Sequence, residues 1–506
     1  MSKLLVIAPG PTANGDLHLG HLAGPFLAAD ICARYARAAG CDVLFGTGIH
    51  STQNYIVTTA RRLGVKPEDL REKSAGQVEA SLAAMDIQPD GFVRFDERYV
   101  KTVVTFFDRL HSAGKLRLRA VKFPYSPRTG EFLTDAYVRG GCPVCLTDGC
   151  AGLCEGCGHW IASGELVDPK STLDPSDPVE LREEKVLVLP VEEYRAGLEE
   201  FFARHAPTLR PRLARMIEEM LARPLPDYPV TLPISWGIPA PFPEVAGQVF
   251  YSDTETITWS IHASALAAQA RGEVLESDDQ LWFADTEVVY FFGSDAGFAF
   301  AVAGVAMLLA LEQYVLPEQF VTNEFYELEN DKFSTSRGHL VTGQELLDED
   351  VPRDLIRFYL ASTSPEFQRT NFTRAAMAEV TSSRLVAPWN RIAAKVNALA
   401  ESPLPVSERS RVAARLMVER FAGAYDVRRF SVTAAAFTLT EQLARLDSFP
   451  LTAENAGDFC HEVDTFLRCA GPILTDLAGK ALGDSVIPST FDAHEFTPRH
   501  LPELSE

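Results

Sequence analysis

The sequence predicts an α/β chain that holds a doubly wound parallel sheet, a cysteine-rich insertion and a C-terminal helical bundle. Within residues 3–48 an apolar strand, a glycine-bearing turn, an amphipathic helix and a second strand follow one another, which is the order of a βαβ unit. Five cysteines lie between Cys142 and Cys157. Beyond residue 373 the chain is rich in Ala, Leu and Arg at helical spacing, which predicts the bundle.

The predicted elements follow one another along the chain. "KLLVIAP" is typical of a buried parallel strand, residues 20–39 have the apolar period of a helix, and "CDVLFGTG" is a second strand. Strand-like sequence returns at "LWFADTEVVYFFGSD" and "QFVTNEFYEL", so we expect the sheet to resume after the insertion. The expected units are the first half of the sheet domain at 1–115, the insertion at 116–235, the second half at 236–320, a loop-bearing region at 321–372 and the bundle at 373–506.

Length and charge narrow the function classes. A chain of 506 residues is too long for one ordinary core. Its formal net charge of −22 argues against nucleic-acid binding over the whole surface but does not exclude a local basic patch. Since no apolar run reaches the roughly 18 to 20 residues of a membrane span, and the N-terminus has no basic region with a cleavage site, we expect no membrane partner and a cytoplasmic location.

The stretch "NGDLHLGHL", residues 14–22, places two histidines where the first strand gives way to a helix. His18 and His21 are three residues apart, so they share one face of the helix start. Helix N-termini favour anions, and imidazoles donate hydrogen bonds to phosphate oxygens. The pattern therefore indicates phosphate binding, with a capped helix bearing two surface histidines as the alternative.

Four of the crowded cysteines form two CxxC pairs, Cys142 with Cys145 and Cys154 with Cys157. Two such pairs supply the four thiolates that tetrahedral zinc prefers, and a closed ligand set is typical of structural zinc. Cys150 and His159 lie close by in the sequence and are alternative ligands for one pair.

Two further motifs are candidates for nucleotide binding. In "NDKFSTSRGHL", residues 330–340, the hydroxyl-rich loop with Lys332 and Arg337 fits a polyphosphate clamp, although taken alone a solvated loop explains it equally well. Asp295, in "VVYFFGSDAG" at the end of a predicted strand, stands where a ribose-binding carboxylate is expected.

Together these motifs resemble the class I aminoacyl-tRNA synthetases, most closely methionyl-tRNA synthetase. "HLGH" at 18–21 is similar to the HIGH signature of that family, and "KFSTS" at 332–336 occupies the place of its KMSKS loop. The cysteine knuckle lies in the insertion expected for the family and is followed by "GELVDPKS". The likeness runs from residue 4 to beyond 400 and implies a Rossmann-type sheet with a zinc-knuckle insertion and an anticodon-domain-like bundle.

The resemblance implies a specific reaction. A carboxylic acid attacks the α-phosphate of Mg²⁺-bound ATP to give an acyl-adenylate, and an acceptor hydroxyl then takes the acyl group. The implied cofactors are ATP, Mg²⁺ and structural Zn²⁺. The implied catalytic residues are His18, His21, Lys332, Ser334 and Ser336, and the implied ATP-binding residues are Asn14, Gly20, Gly293, Asp295 and Arg337.

The substrate-binding positions depart from the family pattern. Gly48 stands where the family has the aspartate that holds the α-ammonium group, and Thr335 replaces the second lysine of the loop. Because a lost carboxylate leaves an ammonium group unpaired, we expect that methionine is not the substrate. The pocket positions carried over from the family are Gly10, Thr12, Gly48, His50, Ala296 and Phe300.

The predicted bundle departs from the family as well. Asn397 is in register with the anticodon-reading asparagine, but Glu401 replaces an arginine and Ile473 replaces a tryptophan. A carboxylate repels phosphates and bases, and an isoleucine offers no stacking platform. We therefore do not expect tRNA as a partner.

These departures favour a particular hypothesis, which is activation of an amino acid other than methionine. The acyl group would pass to a small-molecule acceptor such as an N-hydroxylated amine, as in related enzymes of natural-product pathways that form hydrazines, with a separate cupin-type partner enzyme. The first alternative is a true methionyl-tRNA ligase or another tRNA ligase with divergent recognition. The second is a non-catalytic regulatory or binding protein that keeps the fold.

Overall fold

A five-stranded parallel sheet forms the centre of the molecule, and the computed structural model describes residues 3–283, 285–333, 339–483 and 493–505. Its apolar strands are buried on both faces, as the continuous hydrophobic runs predict. From one edge to the other the strands are Gln319–Asn323, Thr286–Gly293, Lys3–Ile7, Val43–Gly48 and Gly91–Val93.

The strand order places a topological switch beside the first strand. The chain runs outward from Lys3–Ile7 through two strands on one side, and it returns after the insertion to add Thr286–Gly293 on the other side. In open parallel sheets, ligands bind outside the carboxyl ends of the strands at this crevice. The segments that follow Lys3–Ile7 and Thr286–Gly293 are therefore the positions for a site.

Helices cover both faces of this sheet. The predicted helix over residues 20–39 is interrupted, since a π-helical segment, Leu22–Phe26, separates two α-helical parts. Gly24 has a non-helical ψ of −114°, and a Cβ there would lie 2.8 Å from the side-chain nitrogen of Asn323. The α-helices are Leu19–His21, Leu27–Ala38, Tyr55–Leu63, Pro67–Ala84, Glu97–Ser112, Thr256–Ala270 and Val305–Leu311.

The insertion is built of small antiparallel sheets and two helices. One sheet has four strands, Asp227–Pro229, Glu180–Pro190, Arg117–Ser126 and Glu131–Phe132, and another has Val167–Ser171, Val138–Gly141 and Asp148–Cys150. Two-stranded pairs join Gly152–Leu153 with Trp160–Ile161 and Thr231–Leu232 with Val249–Phe250. The helices are Arg195–His205 and Pro211–Leu221.

The C-terminal part is mainly helical, as predicted. A small sheet of Asp331–Lys332, Tyr326–Leu328 and Thr370–Phe372 precedes it, and Leu404–Pro405 pairs with Glu495–Phe496. The helices are Gly343–Asp348, Arg353–Ser362, Arg374–Thr381, Ala387–Asn397, Glu408–Tyr425, Val432–Asp447, Ala456–Ala470 and Thr475–Leu482, with a π-helical segment at Ser382–Val386. The predicted fold class is confirmed, while the boundaries between units stay predictions.

One helical stretch, Ser294–Leu311, is long and apolar enough to cross a membrane by length and composition. The expectation that no apolar run is long enough therefore needs correction. In the structure 78% of this stretch is buried, which is the property of a core helix.

Candidate active site

A cavity of about 830 Å³ opens at the carboxyl ends of the central strands. Its size is within the range of small-molecule sites. Most of the residues predicted from the sequence to form a site line this one cavity: Gly10, Thr12, Asn14, His18, Gly20, His21, His50, Gly293, Asp295, Ala296, Phe300 and Lys332. The predicted loop residues Ser334, Ser336 and Arg337, and Thr335 between them, lie outside the described residues.

The two histidines of the first turn stack in the cavity wall. His18 caps the helix that begins at Leu19, and its ring lies 3.9 Å from the ring of His21 and 4.6 Å from that of Phe333. A Cβ on Gly20 would lie 2.9 Å from Cε1 of His18 and 3.3 Å from Phe333. Glycine at this position therefore leaves room for the stacked rings.

Hydrogen bonds fix which nitrogen of each histidine faces outward. Nδ1 of His18 accepts from the backbone N–H of Gly20 at 3.1 Å, and Nδ1 of His21 accepts from the backbone N–H of His18 at 3.3 Å. Burial lowers the pKa of His18 well below its usual value and lowers that of His21 to about 4. Both rings are therefore neutral near pH 7, and each carries its proton on Nε2 as a hydrogen-bond donor.

Asp295 follows the strand Thr286–Gly293 and borders the same cavity. Burial raises the pKa of its carboxyl group. A Cβ on Gly293 would lie 2.4 Å from Oδ1 of Asp295, so glycine at position 293 lets the carboxylate fold back over the strand end. The contact explains why a glycine precedes this turn.

Lys332 reaches the cavity from the short strand Asp331–Lys332. Its Nζ forms an ion pair with the carboxylate of Glu155, which lies between Cys154 and Cys157 in the knuckle. Both side chains are more than half exposed, so this pair adds little stability. The knuckle and the strand that leads into the predicted phosphate loop are therefore neighbours at the cavity mouth.

The four predicted cysteine ligands come together as the spacing predicts. The Sγ atoms of Cys142, Cys145, Cys154 and Cys157 lie within 4.8 Å of one another, with 3.8 Å from Cys142 to Cys157 and 3.7 Å from Cys145 to Cys154. Tetrahedral zinc with Zn–S bonds of about 2.3 Å requires S–S separations of about 3.8 Å. The donor set therefore fits zinc, and neither Cys150 nor His159 belongs to the group.

We expect about one zinc ion per purified chain and almost none when Cys145 is replaced by serine. A hydroxyl is a poor substitute for a thiolate ligand of zinc. Metal analysis after exhaustive dialysis measures this content. Cys41→Ser, which changes an exposed cysteine outside the group, is the control and should keep its zinc. Zinc retained at full content by Cys145→Ser would contradict the assignment.

Gly10 and Gly48, two predicted pocket residues, pack closely against the backbone of neighbouring segments. A Cβ on Gly10 would lie 2.1 Å from the carbonyl oxygen of Gly48, and a Cβ on Gly48 would lie 2.3 Å from the backbone nitrogen of Val93. Gly48 was predicted as a pocket residue, but it lies behind the wall and does not line the cavity. No side chain fits at either position without movement of the strands.

We expect Gly10→Leu, which adds a large side chain at this position, to lower the free energy of unfolding by about 1–3 kcal/mol because of this overlap. Urea unfolding followed by circular dichroism measures the change. Gly76→Ala, on the helix Pro67–Ala84 with no atom within 4 Å of the new Cβ, is the control and should be neutral or slightly stabilising. A Gly10→Leu variant as stable as the original chain would contradict the close packing of Gly10 against the backbone of Gly48.

Sequence reasoning missed an acidic wall of the cavity. Asp135 and Asp253 both line it, and the hydroxyl of Tyr251 lies 2.9 Å from a carboxylate oxygen of each. Gln53 donates to Asp253 at 3.1 Å, and Thr12 donates to Gln53. The sequence signal for this wall was an aspartate among largely apolar residues, Asp135 in "EFLTDAYV" and Asp253 in "VFYSDTET".

The bundle positions aligned with anticodon-reading residues have structural roles or are exposed. Asn397 exchanges two hydrogen bonds with the backbone of Leu501, at 2.8 and 3.0 Å. Ile473 is fully buried, and its carbonyl accepts a hydrogen bond from Arg357. Glu401 is exposed. Asn397 therefore ties down the C-terminal segment, and Ile473 offers no surface for stacking.

Comparison with known proteins agrees with this geometry. Residues 4–396 match the family model described as tRNA synthetases class I (M). The chain is 31% identical over 383 residues to a methionine–tRNA ligase of Cytophaga hutchinsonii, covering 74% of this chain and 55% of that one. A methionine–tRNA ligase of Salinibacter ruber is 33% identical over 384 residues, covering 73% and 54%. The chain spans about half the length of the curated relatives it matches.

Solved structures share the fold. Mycobacterium tuberculosis methionyl-tRNA synthetase in complex with methionyl-adenylate superposes with a TM-score of 0.75 and 18% identity, covering 100% of this chain and 99% of that one. The apo form of the same enzyme gives a TM-score of 0.68 at 17% identity, covering 100% and 97%. At this identity the similarity concerns the fold alone.

The comparisons correct several expectations drawn from the sequence. Because the family model and the relatives are those of tRNA ligases, the expectation that tRNA is not a partner is wrong. The matches also give no support to a substrate other than methionine, a small-molecule acceptor, a natural-product pathway or a cupin partner. They favour the alternative of a tRNA ligase with divergent recognition residues.

Proposed function

The chain belongs to the methionyl family of class I tRNA synthetases, and on that basis we propose that it activates an amino acid with ATP and transfers the acyl group to tRNA. In the first step a carboxylate oxygen of the amino acid attacks the α-phosphorus of ATP, and pyrophosphate leaves. In the second step a hydroxyl of the tRNA attacks the acyl carbonyl, and AMP leaves. The first step replaces the P–O bond to pyrophosphate by a P–O bond to the carboxylate. The second step replaces the C–O bond to AMP by a C–O bond to tRNA.

The observation that carries this proposal is the pair of neutral, stacked histidines at the switch point of the sheet. The proposed role of His18 and His21 is to donate from Nε2 to phosphate oxygens as negative charge grows in the transition state. The N–H groups are held in place by backbone hydrogen bonds and ring stacking, so they need no reorganisation during the reaction. Such pre-arranged donors are a large source of catalysis in phosphoryl and acyl transfer.

Other cavity residues complete the proposed ATP site. We assign Asp295 to the ribose hydroxyls, since it follows a strand that borders the switch point. Lys332 is assigned to the leaving pyrophosphate, which requires that its nitrogen leave Glu155. Asn14, Gly20 and Gly293 line the same space, and Mg²⁺, typical of the family, would neutralise phosphate charge when bound. The zinc knuckle has a structural role in this proposal.

Methionine is the first candidate for the amino acid, because the relatives are methionine–tRNA ligases. The pocket wall nevertheless departs from the family pattern at four positions, which are Gly10, Thr12, Ala296 and Phe300. Selectivity is therefore tested across all amino acids. We also propose a cytoplasmic location, where ATP and tRNA are available.

Two assays on the purified chain test the proposal. ATP–pyrophosphate exchange with each of the twenty common amino acids tests activation, and acylation of total tRNA with the best amino acid tests transfer. Exchange that depends on an amino acid, followed by acylated tRNA, is the expected result. Exchange without acylation would overturn the tRNA step, and no exchange with any amino acid would overturn activation.

A further inference from the structure

Two acidic side chains in the cavity wall have no cationic partner among the described residues. Asp135 and Asp253 are each only 8% exposed, and both line the cavity. Their carboxylates contact the hydroxyl of Tyr251 and the amide of Gln53, and Oδ2 of Asp135 has no hydrogen bond within the described part of the chain. Buried carboxylates are costly unless a cation or a proton compensates them.

The hydroxyl of Tyr251 is shared by both carboxylates and does not compensate the negative charge of the pair. Tyr251 lies 2.9 Å from Asp135 and 2.9 Å from Asp253, but its single proton can be donated to only one of them. Trp160 donates to the tyrosine oxygen at 3.4 Å and so adds no positive charge. The pair therefore has to hold an extra proton or take up a positively charged group.

The cationic side chains that line the same cavity have other partners. Arg139 pairs with Asp148, and Lys332 pairs with Glu155. His50 contacts the carbonyl oxygen of Ser252, and burial lowers its pKa. A proton or a ligand is therefore the available source of positive charge for the pair, and burial beside Asp253 raises the pKa of Asp135.

The backbone around Asp135 is held in an uncommon conformation. Its φ of +44° is in the left-handed region, and the side chain of Asn54 fixes both flanking residues through bonds of 2.8 Å to the carbonyl of Thr134 and 3.0 Å from the amide of Ala136. Strained backbone persists only when its surroundings hold it, and such positions cluster at ligand sites. The backbone that carries the carboxylate is thus held in place before any ligand binds.

We propose that Asp135 and Asp253 bind the ammonium group of the amino acid substrate. This inference rests on the proposed function, since it assigns a recognition site within the same cavity. Gln53 connects the pair to Thr12, close to the end of the first strand and to the histidines. The ammonium group can be the α-ammonium of any amino acid or the side-chain ammonium of a basic one.

The surroundings suit an ammonium group better than a divalent metal. Mg²⁺ takes six oxygen ligands and Ca²⁺ takes six to eight, some of which are waters or substrate phosphates, and neither ion accepts a hydrogen-bond donor as a ligand. Here Gln53 donates an amide N–H to Asp253, and Trp160 donates its indole N–H to the hydroxyl of Tyr251 between the two carboxylates. An ammonium group needs only a few acceptors, which two carboxylates provide.

The test uses Asp135→Asn and Asp253→Asn, with Asp148→Asn as the control. Asp148 borders the same cavity but is 64% exposed and paired with Arg139. In ATP–pyrophosphate exchange we expect KM for the amino acid to rise roughly tenfold to a hundredfold in both test variants. The KM for ATP should change less than about threefold in all three, which also shows that the variants fold. An unchanged amino-acid KM in both test variants would overturn the inference while leaving the proposed function intact.

Two comparisons distinguish the source of the ammonium group. If the α-ammonium binds here, the analogue of the substrate that lacks the α-amino group neither binds nor inhibits, and the variants weaken every amino acid alike. If a side-chain ammonium binds here, the original chain prefers lysine or ornithine to norleucine, and the variants lose that preference. Either result supports the inference.

Calorimetric binding keeps the inference testable if exchange is absent. Titration of the twenty amino acids into the original chain, without ATP, should show binding that Asp135→Asn and Asp253→Asn weaken and Asp148→Asn retains. Failure of every amino acid to bind to the original chain would overturn the inference as well as the proposed function.

Discussion

Replacing His21 by alanine should lower the rate of amino-acid-dependent ATP–pyrophosphate exchange by about 100-fold to 1000-fold, as expected for loss of one pre-arranged donor. The effect should fall mainly on kcat, because the bond to phosphate strengthens as charge develops. Steady-state exchange at saturating ATP measures it. His18→Ala should lose at least as much, since the ring of His18 also supports that of His21 at 3.9 Å.

Two controls separate donation from packing. His21→Gln places an amide N–H near the position of Nε2 and should retain more activity than His21→Ala. His111→Ala removes a partly exposed histidine that is bound to Glu244 outside the cavity. Its exchange rate should be close to that of the original chain. Equal activity of His21→Ala and the original chain would contradict the role.

The protonation state of His21 adds a pH prediction. Its folded pKa of about 4 lies below the unfolded value of about 6.5. The unfolded chain therefore binds the proton more readily, and this residue lowers the free energy of unfolding as the pH falls from about 6.5 towards 4. Between pH 6 and 8 the ring stays neutral, so the rate should show no inflection from His21.

Replacing Arg357 by alanine should lower the free energy of unfolding by about 3–5 kcal/mol, the usual effect of breaking a buried ion pair. Arg357 is fully buried, and its guanidinium pairs with Asp30 at 2.7 Å. It also donates to the backbone carbonyls of Met85, Pro472 and Ile473 at 2.7–3.0 Å. Because these partners come from the sheet domain and the bundle, the substitution removes a bond between the two.

Urea unfolding followed by circular dichroism measures this loss. Arg374→Ala is the matched control, because Arg374 forms exposed ion pairs with Glu345 and Glu349. Exposed pairs of this kind contribute at most about 1 kcal/mol. A loss for Arg357→Ala no larger than that of the control would show that the buried network does not hold the bundle to the sheet.

The fold was predictable where the pattern is local. The apolar runs of Lys3–Ile7 and Thr286–Gly293 are long enough to identify buried parallel strands. The π-helical segment Leu22–Phe26 contains Pro25, which has no backbone N–H to donate, so the Gly24-Pro25 pair was a local signal for an interrupted helix. The close approach of Gly24 to Asn323, far away in the sequence, was not predictable. The two- and three-residue strands of the insertion are too short to carry a period.

The candidate site was predictable to the same extent. His18, His21 and the cysteine pairs were found because their chemistry depends on spacing within a few residues. The contact of Tyr251 with Asp135 joins residues 116 apart in the sequence. The ion pair of Glu155 with Lys332 joins residues 177 apart. Only the folded chain reveals such pairs. For the acidic wall of the cavity, the sequence offered only single aspartates among apolar residues.

Transfer of labelled oxygen tests the central claim, that this cavity forms an acyl-adenylate. The amino acid that supports exchange is labelled with ¹⁸O in its carboxyl group and incubated with ATP, tRNA and the purified chain, and the AMP is analysed by mass spectrometry. If the carboxylate attacks the α-phosphorus, hydrolysis or transfer leaves one labelled oxygen in AMP. AMP that forms in an amino-acid-dependent reaction but carries no label would contradict the account.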